Sequence, residues 1–328
     1  MNEPPTTQRS GVLRREDLVG DRRSARGDTA FEWGTQAAGW LVLVVLGAIA
    51  LSMTAGAMPA IRKAGIGYLF GRTWQPNNEL FGSSSIVYGT VVTSLIALVV
   101  AVPVSIGIAL FITELVPRRF RQVIISVIDV LASVPSVVFG LWGLMVLRPH
   151  LSDVYNSIAD TFAGVPVLRS LFGPSTGFGF MTAGLVVGLM IVPIVTSIIR
   201  EVFSTVPTVE KHGALALGAT RWEMIRGVVF PHSTGGVVGA VMLGLGRAMG
   251  ETIAVALLIG ASAQVSANLF APGEAMPSVI ARNLNEADGT FRAALIGLGL
   301  GLMVLTVIIN VGARLLVRRV ELRTKGTR

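Results

Sequence analysis

The chain has 328 residues, 52% of them hydrophobic and 14% charged, with 38 glycines and a formal net charge of +8. Soluble domains carry roughly 25% charged residues, so a soluble enzyme and a disordered or fibrous protein are excluded and a membrane protein is expected. The absence of cysteine excludes disulfides, Fe–S clusters and thiolate chemistry. The three histidines (His150, His212, His232) lack zinc-hydrolase spacing, and none of the three lysines (Lys63, Lys211, Lys325) closes a P-loop, so Walker-type ATP hydrolysis by this chain alone is excluded too.

A bilayer core of about 30 Å needs roughly 20 apolar residues as a helix. On that basis six spans are expected, at 36–59, 86–113, 122–147, 178–200, 232–260 and 292–317. Residues 1–34 are polar and read as a disordered tail. An even number of spans puts both ends on one side. That side collects nineteen of the 27 Lys and Arg and the opposite side seven, with Arg247 between. The positive-inside bias therefore places both termini in the cytoplasm. Pro103, Pro135 and Pro193 fall inside spans, where a proline reads either as a simple kink or as part of a bendable path. Asp129, in the third span, reads as an interfacial acid near Arg121.

The stretch 200–231 between the fourth and fifth spans is too apolar for a solvated linker. The run through Leu217 reads as a short helix ended by Gly218, where a left-handed backbone is cheap. Thr220 and Glu223 then have capping-box spacing ahead of a second helix, and Pro231 precedes the fifth span. Such helices would expose Ala214, Leu215, Leu217 and Ala219, which ask either for a partner's groove or for packing on the chain's own membrane domain.

In the fifth span, Arg247 and Glu251 stand at i and i+4 and can pair on one helix face. An arginine at a helix centre costs about 2.5–3.5 kcal/mol on insertion scales, so the pair should face protein or water. It reads either as a register-fixing salt bridge or as an oxyanion site. In the second case the guanidinium supplies a planar donor fork that Glu251 orients and moderates. The pairs Gly235/Gly239 and Gly246/Gly250 form small faces suited to close helix contact.

The 200–231 stretch resembles the EAA loop of ABC-importer permeases: Ala214, Gly218 and Pro231 match its pattern, while His212 and Gly213 stand where it has Glu and Ala. The stretch GLGRAMGETIAV (244–255), with GTVVTSLIALVVAVPVSIGIALFITE (89–114) and SVPSVVFGLWGL (133–144), is similar to the PstC family, the permease subunits of phosphate-specific ABC importers. The sister PstA family usually continues GETAP, whereas Glu251-Thr252 here leads into Ile253-Ala254-Val255.

This resemblance implies an all-α integral membrane protein of six transmembrane helices with the ABC type I importer (MetI-like) permease fold. Residues 1–35 would be a cytoplasmic polar tail, 36–318 the permease domain with its core at about 86–315 and its coupling loop at 201–231, and 319–328 a basic tail. It implies phosphate passage at Arg247 and Glu251 and ATPase docking through Ala214, Leu215, Gly218, Ala219 and Pro231. The implied partners are a PstA-like permease, a PstB-like ATPase dimer and an extracytoplasmic PstS-like phosphate-binding protein in a lipid membrane, with no cofactor, no nucleic acid and no covalent chemistry on this chain. A permease for another oxyanion, or an ion-driven carrier or channel that needs no ATPase, is the competing expectation.

Overall fold

The computed structural model describes residues 22–325, and the side chains of 28–315. The tail expectations for 1–21 and 326–328 lie outside the described residues. By its contacts the chain divides into one unit up to Ser52 and another from Met53 onward.

The first unit carries most of α1 (Arg22–Ala64), so the tail expected to be disordered is helical from Arg22. Its run Trp40–Leu46 is apolar and exposed all round, as a lipid-facing rod requires.

In the second unit, α1 ends at Gly65 and leads to a short helix α2 (Gly67–Phe70) and a two-residue hairpin, β1 (Trp74–Gln75) with β2 (Leu80–Phe81), paired Trp74 to Phe81. α3 (Ser84–Leu110) runs on through a π turn, Phe111–Leu115. Next come α4 (Arg118–Ser133), α5 (Ser136–Trp142) with a π turn to Leu147, α6 (Arg148–Thr161) and α7 (Pro166–Leu171). α8 (Phe180–Ser204) precedes α9 (Thr208–Ala216) and α10 (Arg221–Met224). α11 (Phe230–Met249), α12 (Ile253–Leu258), α13 (Met276–Asn283) and α14 (Gly289–Lys325) complete the chain.

Among the described residues five helices are long and apolar enough to cross a membrane, and a sixth crossing is available if α4 and α5–α6, bent by 86°, count as one. The third span is therefore broken at Pro135, one of the three prolines expected inside spans. Val134 precedes proline and is extended (φ −65°, ψ 128°), because the ring of Pro135 disfavours a helical residue before it. Pro103 and Pro193, by contrast, sit inside unbroken helices. Beside Pro193, the carbonyl of Val192 accepts a bond from the Ser105 hydroxyl at 3.1 Å, which ties α8 to α3.

The core lies where α3 and α8 cross. Gly184 and Gly188 of α8 lie against Ile96 and the backbone of Ala97 so closely that a methyl group on Gly184 would stand 2.6 Å from Ile96. Without a hydrophobic drive between helices in lipid, such small-residue contacts supply the packing. Around them Phe180, Val186, Ile191, Val195 and Ile199 are buried.

The bundle has two unlike ends. At one, the starts of α3, α8 and α14 meet the segment 259–288. Tyr88 donates to the Ser266 carbonyl (2.7 Å), the Met276 N–H donates to Thr90 (2.9 Å), Arg282 pairs with Glu274, and Tyr68 donates to the Ala294 carbonyl (2.7 Å). At the other, the end of α8 meets the start of α11 through Phe203 and Phe230, with ring centroids 6.0 Å apart, and the α9–α10 loop lies beside them.

Candidate functional site

The loop end is built as its residues dictate. α9 stops at Ala216, and Gly218 turns the chain at φ +89°, a conformation that costs an L side chain about 1–2 kcal/mol. Thr220 caps α10 in a full capping box: its hydroxyl accepts from the Glu223 N–H, and the Glu223 carboxylate accepts from the Thr220 N–H at 2.8 Å. α10 does not stop before the fifth span as expected. It continues through a π turn, Ile225–Val229, into α11, with Pro231 exposed in the first turn of α11. Proline supplies no N–H and crowds the carbonyl four residues back, and a widened turn ahead of it relieves both.

Of the expected docking residues, Leu215 and Gly218 are exposed, Ala219 is half-buried, and Ala214 packs against the chain's own core. The larger exposed apolar surface here is Leu217 (91% exposed), Val209 (79%) and Trp222 (61%). Leu217 was legible in the pattern; Val209 and Trp222 were not, because nothing in one sequence says which face of a short helix its neighbours cover. Also unread was the fastening of the loop. Lys211 pairs with Glu114 of the α3 π turn at 2.6 Å, with side chains only 14% and 10% exposed. The two residues stand 97 positions apart, and only the fold brings them together. Glu210 faces His232 across 3.7 Å, an ion pair when the imidazole is protonated, and His212 is exposed.

The expected pairing of Arg247 with Glu251 is overturned. α11 ends at Met249; the Gly250 N–H bonds the Gly246 carbonyl and the Glu251 N–H bonds the Ala248 carbonyl, a tightened last turn. Glycine at 246 and 250 weakens the helix here, and Glu251 finds a competing use. It is 8% exposed, and its carboxylate accepts the Ala254 N–H in the first turn of α12, where an acid also suits the helix dipole. The fifth span thus breaks at 250–252 rather than running to 260, and no ion pair joins the two residues.

Arg247 is left exposed in a groove of about 1050 Å³. α11 supplies one wall, with Gly235, Gly239 and Gly246; Ile194 of α8 and Asn310 and Arg314 of α14 supply others. A side chain added at Gly239 or Gly246 would meet open space, so this small face is not used for contact within the chain. Asp129 is exposed on α4, and Arg121 does not turn to it but donates to the Thr113 carbonyl at 2.7 Å.

Residues 101–322 match the family described as the binding-protein-dependent transport system inner membrane component. The phosphate transport system permease protein PstC of Mesorhizobium japonicum is 44% identical over 306 residues, 92% of this chain and 94% of that protein. PstC of Xylella fastidiosa is 42% identical over 303 residues, 92% and 94% of the two chains. Among solved structures, a bacterial alginate ABC transporter in complex with an alginate-bound periplasmic protein contains a chain similar at TM-score 0.57 and 15% identity, covering 90% of this chain and 97% of that one. At that identity it speaks for the fold alone.

Proposed function

The chain belongs to the family of binding-protein-dependent transport system inner membrane components and is a non-catalytic, multi-pass permease subunit of a phosphate ABC importer, and we propose that Arg247 is where phosphate passes through it. One observation carries the site: a guanidinium with no ion-pair partner among the described residues stands in a wide, glycine-walled groove. Its donor fork matches an oxyanion, and the groove leaves room for one to enter and leave. Glu251 acts differently from a directly paired acid. It caps α12 and holds the helix break that ends α11 just past Arg247.

An importer of this kind works with an ATPase and a binding protein. In this reading the partners are a PstB-like ATPase pair, a PstS-like phosphate-binding protein and a PstA-like permease facing the α11 groove. Both termini and the α9–α10 loop lie in the cytoplasm, and the polar-bonded 259–288 segment lies outside. The loop docks on the ATPase through Leu215, Leu217, Gly218 and Trp222, with Ala214, Ala219 and Pro231 shaping its fold. Closure of the ATPase pair on ATP moves the loop. Lys211–Glu114 passes that movement to α3, and the groove opens alternately to the two sides.

Arg247→Gln in the intact importer tests the site. Phosphate uptake should fall by about a hundredfold or more, as when a charge-assisted bond to a desolvated ion is lost, while all subunits still co-purify. Wild-type uptake by this variant removes Arg247 from the path. Competition by sulfate or molybdate against phosphate reads the specificity of the same complex.

A further inference from the structure

The groove that holds Arg247 holds a second arginine. Arg314 of α14 lines it, with Asn310 one turn away, about 6 Å along the axis. The described lining residues include two guanidinium groups and one carboxamide and no acid, and Glu251, the acid nearest in sequence to Arg247, is buried at the start of α12. The start of α14 packs on α13 at the polar-bonded end of the bundle, through Met276, Val279, Leu295 and Leu298, and α11 starts at the loop end. The two helices are therefore antiparallel. Arg314, 25 residues into α14, lies toward the loop end of the groove, and Arg247, near the last turn of α11, lies farther from it.

The arginine inside the fifth span is costly, and a second one in its groove, at the end of the membrane-crossing part of α14, repels it. A water-filled groove visited by anions makes both tolerable. An anion held by one binding group only must leave in a single step; a second group of the same chemistry divides that step, as adjacent sites do in conducting pores.

We propose that Arg314, with Asn310 beside it, is a second holding station for the phosphate oxyanion, on the loop side of Arg247, by which the ion leaves the groove. The proposal rests on the reading of Arg247 as a path residue. Arg314 offers a donor fork and Asn310 an amide N–H₂, and both suit a tetrahedral oxyanion. A phospholipid headgroup presents the same chemistry to a guanidinium near a membrane surface, and the experiment separates the two sources.

The importer with all its subunits is placed in liposomes, and ATP-driven uptake of radiolabelled phosphate is followed for wild type, R314Q, R314K, R247Q and R292Q. R292Q removes an equal charge from the opposite end of α14, outside the groove. R314Q should lower the uptake rate at saturating phosphate by about tenfold, leaving the half-saturating phosphate concentration, subunit recovery and retained phospholipid unchanged. R314K should recover most of the rate, and R292Q should match wild type. The R314Q loss should be equal in vesicles with and without anionic lipid.

Uptake by R314Q at the wild-type rate overturns the station. So does a defect that lysine does not relieve, or one accompanied by loss of a partner subunit, which makes Arg314 a subunit contact. Loss of a retained phospholipid, with a defect confined to vesicles containing anionic lipid, makes Arg314 a headgroup site instead. An inactive R247Q beside a normal R314Q removes only the second station, whereas normal uptake by R247Q removes the reading of the groove itself.

Discussion

The two ends of the helix bundle handle their apolar and polar groups in opposite ways. Where the starts of α3, α8 and α14 meet the segment 259–288, polar groups are spent on one another: Tyr88 on Ser266, Thr90 on Met276, Glu274 on Arg282. Backbones close to within the width of a glycine, and Met276 and Phe270 are buried. At the α9–α10 end, Leu217, Trp222 and Val209 stand exposed on short helices held by one buried ion pair and one capping box. The first end is tied together by its own polar groups, with Ile66 and Phe70 exposed at α2; the second holds its exposed apolar residues on short helices fastened to the core. A surface that is apolar, exposed and fastened to the core suits the proposed joint, because a floppy loop would transmit no movement and a covered one could not receive any.

The comparison breaks most sharply at Gly89. A Cβ there would stand 1.9 Å from the Glu274 carbonyl and 3.0 Å from the Phe180 ring, so Gly89→Leu must part α3 from the segment that caps it. The expected outcome is a loss of folded subunit from membranes by about tenfold or more, as for severe overpacking, read by the yield of assembled complex. If the yield is normal, the polar-bonded end is not held together as described.

Gly218 tests the other end, where a side chain meets open space and only the backbone angle is strained. Gly218→Val should therefore leave subunit yield within about twofold, while ATPase association and uptake fall by about tenfold, a loss of roughly 1.4 kcal/mol. Unchanged uptake and association would mean that the exposed loop is not the joint.

The smallest effect is expected at Glu274. Burial pushes its carboxyl above the usual carboxylate range, against the opposing pull of Arg282. A raised folded-state value means that this group's stabilising contribution is full below its unfolded value, about 4.3, and is lost as pH rises through the folded value. Glu274→Gln should remove that dependence. The melting temperature of wild type relative to the variant should decline as pH rises from about 4 toward neutrality. A rise over the same range would show that the pairing with Arg282 outweighs burial.

Much of the fold was legible along the chain because lipid imposes a one-dimensional rule: a run long and apolar enough must be a helix that crosses. The helices at 84–110, 180–204 and 289–325 lie close to expectation on that account, and the capping box at Thr220 and the glycine turn at 218 follow from local chemistry. The charged spot in the fifth span was half legible. An arginine among apolar residues announces itself, but whether Glu251 answers it depends on whether the helix between them holds. Gly246, Gly250 and the Glu251 carboxylate's bond to the Ala254 N–H decide that it does not.

Residue type and order alone thus determined a greasy multi-helix membrane protein with an apolar loop and a charged spot in its fifth span, since burial cost and helix termination act locally. The tertiary structure alone decided that Arg247 shares a groove with Arg314 and that Lys211 locks to Glu114. Each of these depends on which distant groups come within a few ångströms, and no local rule carries that information.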